Sequence, residues 1–237
     1  MKINISTAVI FCGGRGKRLK PITNKIPKPL ALVCGRPFIF YIIEQLISFK
    51  IKKVIFLTGY KSEIFKNKVK KLNLPKKIKY VFKKTPVNWE TGKRLNFIRN
   101  LKEMFFLLLY SDNLIYFDYI RYINSLDSKK IINIIIQNKS LAEEVGNINR
   151  SRGRNIYSAK RKKYFKYVEL GYSVVSKKIF NYLDNSNSNF SFTLEKLSKN
   201  NNLGCHKVLN KYHSITNLKA LKKSSKTILK FRKKNLG

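Results

Sequence analysis

The chain has 237 residues, 43% of them hydrophobic and 13% aromatic, which suits a single folded domain over residues 1–237 and argues against disorder. Lys and Arg number 51 against 12 Asp and Glu, a formal charge of +39. The basic residues spread along the whole sequence, so most of the excess reads as surface composition, and no specific nucleic-acid partner is implied. Cys12, Cys34 and Cys205 are odd in number, far apart and without metal-ligand spacing, which argues against a disulfide framework or zinc site and fits reduced thiols in the cytoplasm. No apolar run approaches a membrane span, and the N-terminal one turns polar too early for a secretion signal.

In chain order, Ala8-Val-Ile-Phe11 predicts a buried strand opening into a loop with three glycines in four positions, Gly13, Gly14 and Gly16. Without Cβ atoms, such a loop lets backbone N–H groups approach an anion. Arg15, Lys17 and Arg18 add cations to the loop, and Lys28 adds another between two prolines. Donors plus fixed cations suit a triphosphate. The pattern is neither a P-loop nor a dinucleotide fingerprint, and an ordinary glycine-rich turn has the same local composition.

Phe38 to Phe49 has helical apolar spacing, Lys53 to Leu57 is the next strand, and Ser62 is placed to cap a helix running to Leu72. Ile78 to Phe82 is a third strand. Alternating strands and helices predict a Rossmann-like three-layer α/β/α fold with a mostly parallel central sheet, whose ligands sit at the carboxyl ends of the strands. Residues 85 to 95 form a polar loop leading into a helix. Met104 to Tyr110 is the strongest strand signal, expected at the centre of the sheet, and Asp112 stands at its end. A carboxylate there suits Mg²⁺, which takes one or two carboxylates and fills its shell with water and phosphate. A turn-capping role fits the same position. Lys130 to Gln137 predicts another strand, Asn147 to Tyr167 a hairpin or flap, and Val168 to Val175 a strand carrying Glu169. A helix from Ser191 to Lys199, a short strand near His206 and a closing helix from Leu218 to Phe231 complete the chain.

The run Gly13-Gly-x-Gly-x-Arg-Leu-x-Pro-x-Thr23, with Pro27-Lys-Pro-Leu30 and Val33-x-Gly35-x-Pro37, resembles the signature of sugar-1-phosphate nucleotidyltransferases. Further segments are similar to later parts of that family: Thr58-Gly-Tyr-Lys61, Glu90-Thr-Gly-Lys-Arg-Leu95, Leu109-Tyr-Ser-Asp-Asn113, Val168-Glu-Leu-Gly-Tyr172 and Tyr212 to Leu221. The short length is like the compact bacterial members acting on heptose 1-phosphate, or on phosphocholine; length and overall pattern lean toward the heptose-1-phosphate guanylyltransferases, while the Thr91-Gly-x-Arg-Leu95 form of the base loop leans toward cytidylyltransferases such as those of glucose 1-phosphate.

The resemblance implies transfer of a nucleoside monophosphate from a triphosphate to a sugar 1-phosphate, for surface polysaccharide synthesis, with Mg²⁺ as cofactor. It implies that Gly13, Gly14, Arg15 and Gly16 hold the triphosphate, that Arg18 and Lys28 activate it, and that Asp112 binds Mg²⁺. Thr91 and Gly92 would face the base, Glu169 would bond sugar hydroxyls, and Lys160 would meet the sugar phosphate. Three positions depart from the pattern. Ser214 stands where the closing segment has its second metal-binding aspartate, Thr216 replaces the following glycine, and Lys93 replaces the second glycine of the base loop. These keep open a nucleotide-binding homologue with impaired catalysis, and a phosphocholine-type cytidylyltransferase is a further alternative. The charge keeps open a polyanion-binding or membrane-surface role. Oligomeric state is not legible.

Overall fold

In the computed structural model, which describes residues 3–236 and side chains as far as Leu229, the chain forms two compact units. One comprises Ser6–Val87, Leu109–Tyr116 and the segment from Tyr212 onward; the other comprises Asn88–Leu108 and Phe117–Lys211 with the residues before Ser6. The strand Phe105–Tyr110 passes from one unit into the other, buried from Phe106 to Leu109.

The first unit is built on parallel strands. Thr7–Cys12 pairs with Lys53–Thr58, which pairs with Lys79–Lys84, in unbroken six-residue registers. All six positions of Thr7–Cys12 are buried, so this strand reads as a continuous apolar run with no alternation. Helix Phe38–Ser48 buries Phe38, Ile39, Tyr41, Ile42, Ile43 and Leu46. Its one buried polar side chain, Gln45, donates from Nε2 to the Ile115 carbonyl at 2.7 Å and so tethers the segment after Asp112. Helix Ser62–Lys70 corrects one expectation. Lys61, with φ 51°, occupies the N-cap and makes no side-chain cap. Ser62 is buried, and its hydroxyl pairs with Thr58 Oγ1 at 2.7 Å instead.

Asn113–Ile115 and Tyr212–Ser214 form a small antiparallel sheet that sequence patterning did not announce. The closing helix, Leu218–Leu236, buries Leu221, Ser224 and Ile228, while Leu218 and Leu229 stay exposed. Ser224 donates to the Ser214 carbonyl at 2.9 Å, and Cys34 Sγ to the Ser225 carbonyl at 2.9 Å.

In the second unit Ile132–Asn138 pairs antiparallel with Tyr167–Ser176 and parallel with Leu203–Lys207. The expected flap is a hairpin of Ile148–Ser151 and Arg154–Tyr157, turning at Arg152 and Gly153, both with positive φ. The fold is therefore mixed α/β, with parallel core strands and an antiparallel part around Tyr167–Ser176. Among the described residues no helix is long and apolar enough to cross a membrane. The three cysteines are unbridged.

Candidate functional site

The glycine loop leaves the buried strand Thr7–Cys12 and is held from several directions within its own unit. Gly13 accepts a bond at its carbonyl from the Tyr60 N–H at 3.0 Å. Gly16, at φ 62°, lies in the left-handed region that glycine adopts without strain. A Cβ there would come within 2.9 Å of Thr23 Cγ2 and 3.0 Å of Lys28 Cβ. Thr23 Oγ1 donates to the Gly16 carbonyl at 3.1 Å, and Tyr60 Oη donates to the Thr23 carbonyl at 3.0 Å. Tyr60 thus joins both arms of the loop, and its ring also carries the Arg15 guanidinium, 5.9 Å from the centroid. Nothing in the sequence singled out Tyr60 or Thr23 as supports. Gly14 has open space where a side chain would stand, and Arg15, Lys17 and Arg18 are exposed.

Lys28 and Asp112, 84 residues apart in sequence, meet. Lys28 Nζ lies 2.5 Å from Asp112 Oδ2, with the two side chains 14% and 21% exposed. Asp112 is placed by its neighbours: Ser111 N–H donates to the Phe11 carbonyl at 3.3 Å, just before the glycine loop begins. The Asp112 carbonyl accepts from the Ile215 N–H at 3.0 Å. That bond sets the 214–216 segment beside the strand end. Ser214 is in register with Asn113, and its Oγ lies 3.3 Å from Thr216 Oγ1. So the glycines, Lys28, Asp112 and the two departing positions, Ser214 and Thr216, belong to one unit. Asp112 is half-buried, carries its negative charge at a strand end and offers Oδ1, which takes no hydrogen bond from the described residues. This fits an ion that needs one carboxylate and otherwise takes phosphate and water.

The remaining expected residues lie in the second unit, where Thr91, Gly92 and Glu169 are engaged by other groups of the protein. Gly92 N–H donates to the Ser188 carbonyl at 3.0 Å, and a Cβ on Gly92 would stand 2.8 Å from that oxygen. Thr91 Oγ1 accepts from the Phe190 N–H at 2.9 Å and lies 3.3 Å from Asn189 Oδ1. Lys93, where the resemblance expects glycine, holds its ammonium 5.0 Å from the Trp89 ring centroid. Glu169 accepts from the Gly171 N–H at 2.6 Å, where the strand register shifts, and its own N–H donates to Asn147 Oδ1 at 2.8 Å. Asn147 Nδ2 also reaches Tyr157 Oη at 3.5 Å, and burial next to the Glu169 charge pushes that phenol up. Lys160 is exposed and makes no hydrogen bond or ion pair with the described residues. His206 pairs through Nδ1 with Ser125 Oγ at 2.6 Å; burial, then the Arg121 charge, lowers its pKa against an opposing Asp118.

Residues 7–162 match the model of the family described as nucleotidyl transferase, and the chain belongs to that family. It is 42% identical over 97 residues to D-glycero-α-D-manno-heptose 1-phosphate guanylyltransferase of Campylobacter jejuni, covering 39% of this chain and 43% of that protein. It is 32% identical over 127 residues to a protein of Bacillus subtilis described as a probable glucose-1-phosphate cytidylyltransferase, covering 45% of this chain and 50% of that protein. The matches thus span half or less of those relatives' length. The solved inositol-1-phosphate CTP transferase from T. maritima has the same fold, with a TM-score of 0.80 at 15% identity over 98% of both chains. A UDP-glucose pyrophosphorylase complexed with UDP-glucose gives 0.78 at 16% identity, over 97% of this chain and 100% of that one.

Proposed function

We propose that the chain transfers a nucleoside monophosphate from a nucleoside triphosphate to a sugar 1-phosphate, releasing pyrophosphate. The observation that carries this reading is the meeting of Lys28 and Asp112 within the unit that holds the glycine loop. A phosphate oxygen of the sugar 1-phosphate attacks the α-phosphorus, a new P–O bond forms, and the bond to the β-phosphate oxygen breaks as pyrophosphate leaves. Such a displacement needs positioning and charge neutralisation, with no covalent nucleophile on the protein.

In this reading the backbone of Gly13, Gly14 and Gly16 and the side chains of Arg15 and Arg18 hold the triphosphate. Lys28 moves from Asp112 to the phosphates and stabilises the charge that develops on the leaving pyrophosphate. Asp112 would hold Mg²⁺, which when bound supplies further neutralisation of the phosphate oxygens. Thr91 and Gly92 are assigned to the base, Glu169 to sugar hydroxyls and Lys160 to the sugar phosphate, on the likeness of their motifs alone. The relatives' names support GTP with a heptose 1-phosphate or CTP with glucose 1-phosphate as the first pairs to test. A cytoplasmic enzyme supplying surface polysaccharide synthesis is the setting this implies.

The test is pyrophosphate release across four triphosphates and several sugar 1-phosphates, with phosphocholine as an additional acceptor, with and without Mg²⁺. One Mg²⁺-dependent pair is the expected result. Ser214 favours a second reading, a homologue that binds nucleotide and has lost turnover, because a hydroxyl replaces a carboxylate beside Asp112. Nucleotide-dependent thermal stabilisation with a blank activity matrix would select it.

A further inference from the structure

The second unit holds a cavity that is lined by none of the residues assigned above to the transfer reaction. It measures about 670 Å³ and lies between the hairpin of Ile148–Ser151 and Arg154–Tyr157, the segment that follows, and helix Phe190–Lys199. Its walls follow from the chain. The turn at Arg152 and Gly153, with φ of 48° and 72°, closes the hairpin in two residues and pairs Arg154 with Ser151. On the helix, Glu195, Ser198 and Lys199 share one face by their spacing. Ser198 ties that face to the hairpin, since its Oγ accepts from the Tyr157 N–H and donates to the Asn155 carbonyl, both at 2.8 Å. Tyr157 and Phe165, 6% and 5% exposed, form an aromatic floor.

Charge and polarity decide what fits. Arg152, Arg154, Lys162 and Lys199 line the cavity, and none of them makes an ion pair with the described residues. This is not a general want of acids, because neighbouring Arg161 pairs with Glu144 at 2.8 Å. Of the nine carboxylates in this unit, only Glu195 reaches the cavity. Four cations around a concave surface attract a phosphate, and the arginine forks match its oxygens. Glu195 repels that phosphate and calls for a neutral donor. Its Oε2 takes the Ala159 N–H at 3.3 Å, which leaves Oε1 open. Ser158, 6% exposed, lines the cavity too, and its hydroxyl makes no hydrogen bond with the described residues. A buried hydroxyl without a partner and an open carboxylate oxygen suit ligand hydroxyls. The volume is that of a small-molecule site.

We propose that this cavity is a second binding site, for a phosphorylated sugar. The phosphate sits on Arg152, Arg154 and Lys199, the ring lies over the aromatic floor, and ring hydroxyls bond Glu195 and Ser158. The sugar phosphate is either free or the ribose phosphate of a nucleotide. The proposal stands independently of the nucleotidyltransferase reading.

The test is isothermal titration at physiological salt with glucose 6-phosphate, AMP and inorganic phosphate. Saturable binding of glucose 6-phosphate or AMP is expected, tighter than that of inorganic phosphate. Which of the two binds tells the free sugar phosphate from the nucleotide. R152Q/R154Q should weaken it about tenfold or more, while K76Q/K77Q, which removes two exposed lysines of the other unit, and K160A should leave it unchanged. E195Q gives the decisive sign: it should weaken the sugar phosphate several fold and tighten inorganic phosphate. Melting curves check that each variant folds, and K199Q, on the helix side, repeats the charge test should the hairpin variant fail to fold. Tightening of both ligands in E195Q would overturn the hydroxyl contacts. Equal affinity for inorganic phosphate would overturn the sugar. Binding that K160A or K76Q/K77Q weakens as much as R152Q/R154Q does, or no binding of any probe, would overturn the site.

Discussion

The two units treat their motif residues differently. Around the glycine loop, Gly16, Thr23, Lys28, Tyr60 and Asp112 are joined by contacts that cross long stretches of sequence, and they converge on an exposed, strongly basic loop. In the other unit Thr91, Gly92 and Glu169 are each engaged by one backbone group, the Phe190 N–H, the Ser188 carbonyl and the Gly171 N–H, and do not join one another. Charge differs as well, since nine of the 12 carboxylates lie in the second unit. A sequence motif therefore means different things in the two places. In the first, the residue types are explained by what the loop presents; in the second, each residue is already engaged by a backbone group of its own unit.

The sharpest way to break this contrast is to remove the charges that converge. D112A and K28A are each expected to cut pyrophosphate release by about a hundredfold or more, with melting temperature close to that of the intact chain. Both side chains are partly exposed, and their loss opens no apolar cavity. Retained turnover in both would remove the strand end from the chemistry.

Next in size are the two glycines. G16A forces a left-handed φ on alanine and pushes its Cβ against Thr23 and Lys28. A cost of about 1–3 kcal/mol is expected, with loss of triphosphate affinity because Lys28 is displaced. G92A also meets an atom too close, the Ser188 carbonyl at 2.8 Å, and should lower stability by about 1–3 kcal/mol. Thermal melting gives both costs. Titration with a nucleotide analogue separates them: affinity falls in G16A, and a G92A protein that keeps its affinity marks Gly92 as a packing residue.

Tyr60 offers a smaller and cleaner perturbation. Y60F deletes the hydroxyl that donates to the Thr23 carbonyl and leaves the ring beneath Arg15. About 0.5–1.5 kcal/mol is expected, read as a KM increase of a few fold for the triphosphate with little change in kcat. A change confined to kcat would mean that Tyr60 does more than steady the loop.

Much of this was legible because the signals are local. The parallel strands announced themselves as apolar runs, and the glycine loop by spacing. Ser62 misled because it is the first helical residue, one position past the N-cap that Lys61 occupies, and its buried hydroxyl pairs with Thr58. The pairing of Asn113–Ile115 with Tyr212–Ser214 was invisible, since two three-residue strands about a hundred positions apart leave no periodicity. Tyr60 and Thr23 were missed for the same reason: their roles lie in carbonyls they reach, not in a pattern they form.

Lys160 is where the sequence argument is thinnest and the expected effect smallest. The lysine is exposed and has no partner among the described residues, so K160A should change stability by less than about 0.5 kcal/mol. Triphosphate affinity should also be unchanged. What remains is the sugar phosphate. If Lys160 meets it, KM for the sugar 1-phosphate rises several fold and the rise shrinks with added salt, as loss of a single screened charge contact requires. The charge reversal K160E should enlarge the same effect, while reversal of another exposed lysine, K129E, controls for general charge. Equal responses in K160E and K129E would take Lys160 out of the site and leave it one more surface cation in a chain that carries 51 Lys and Arg.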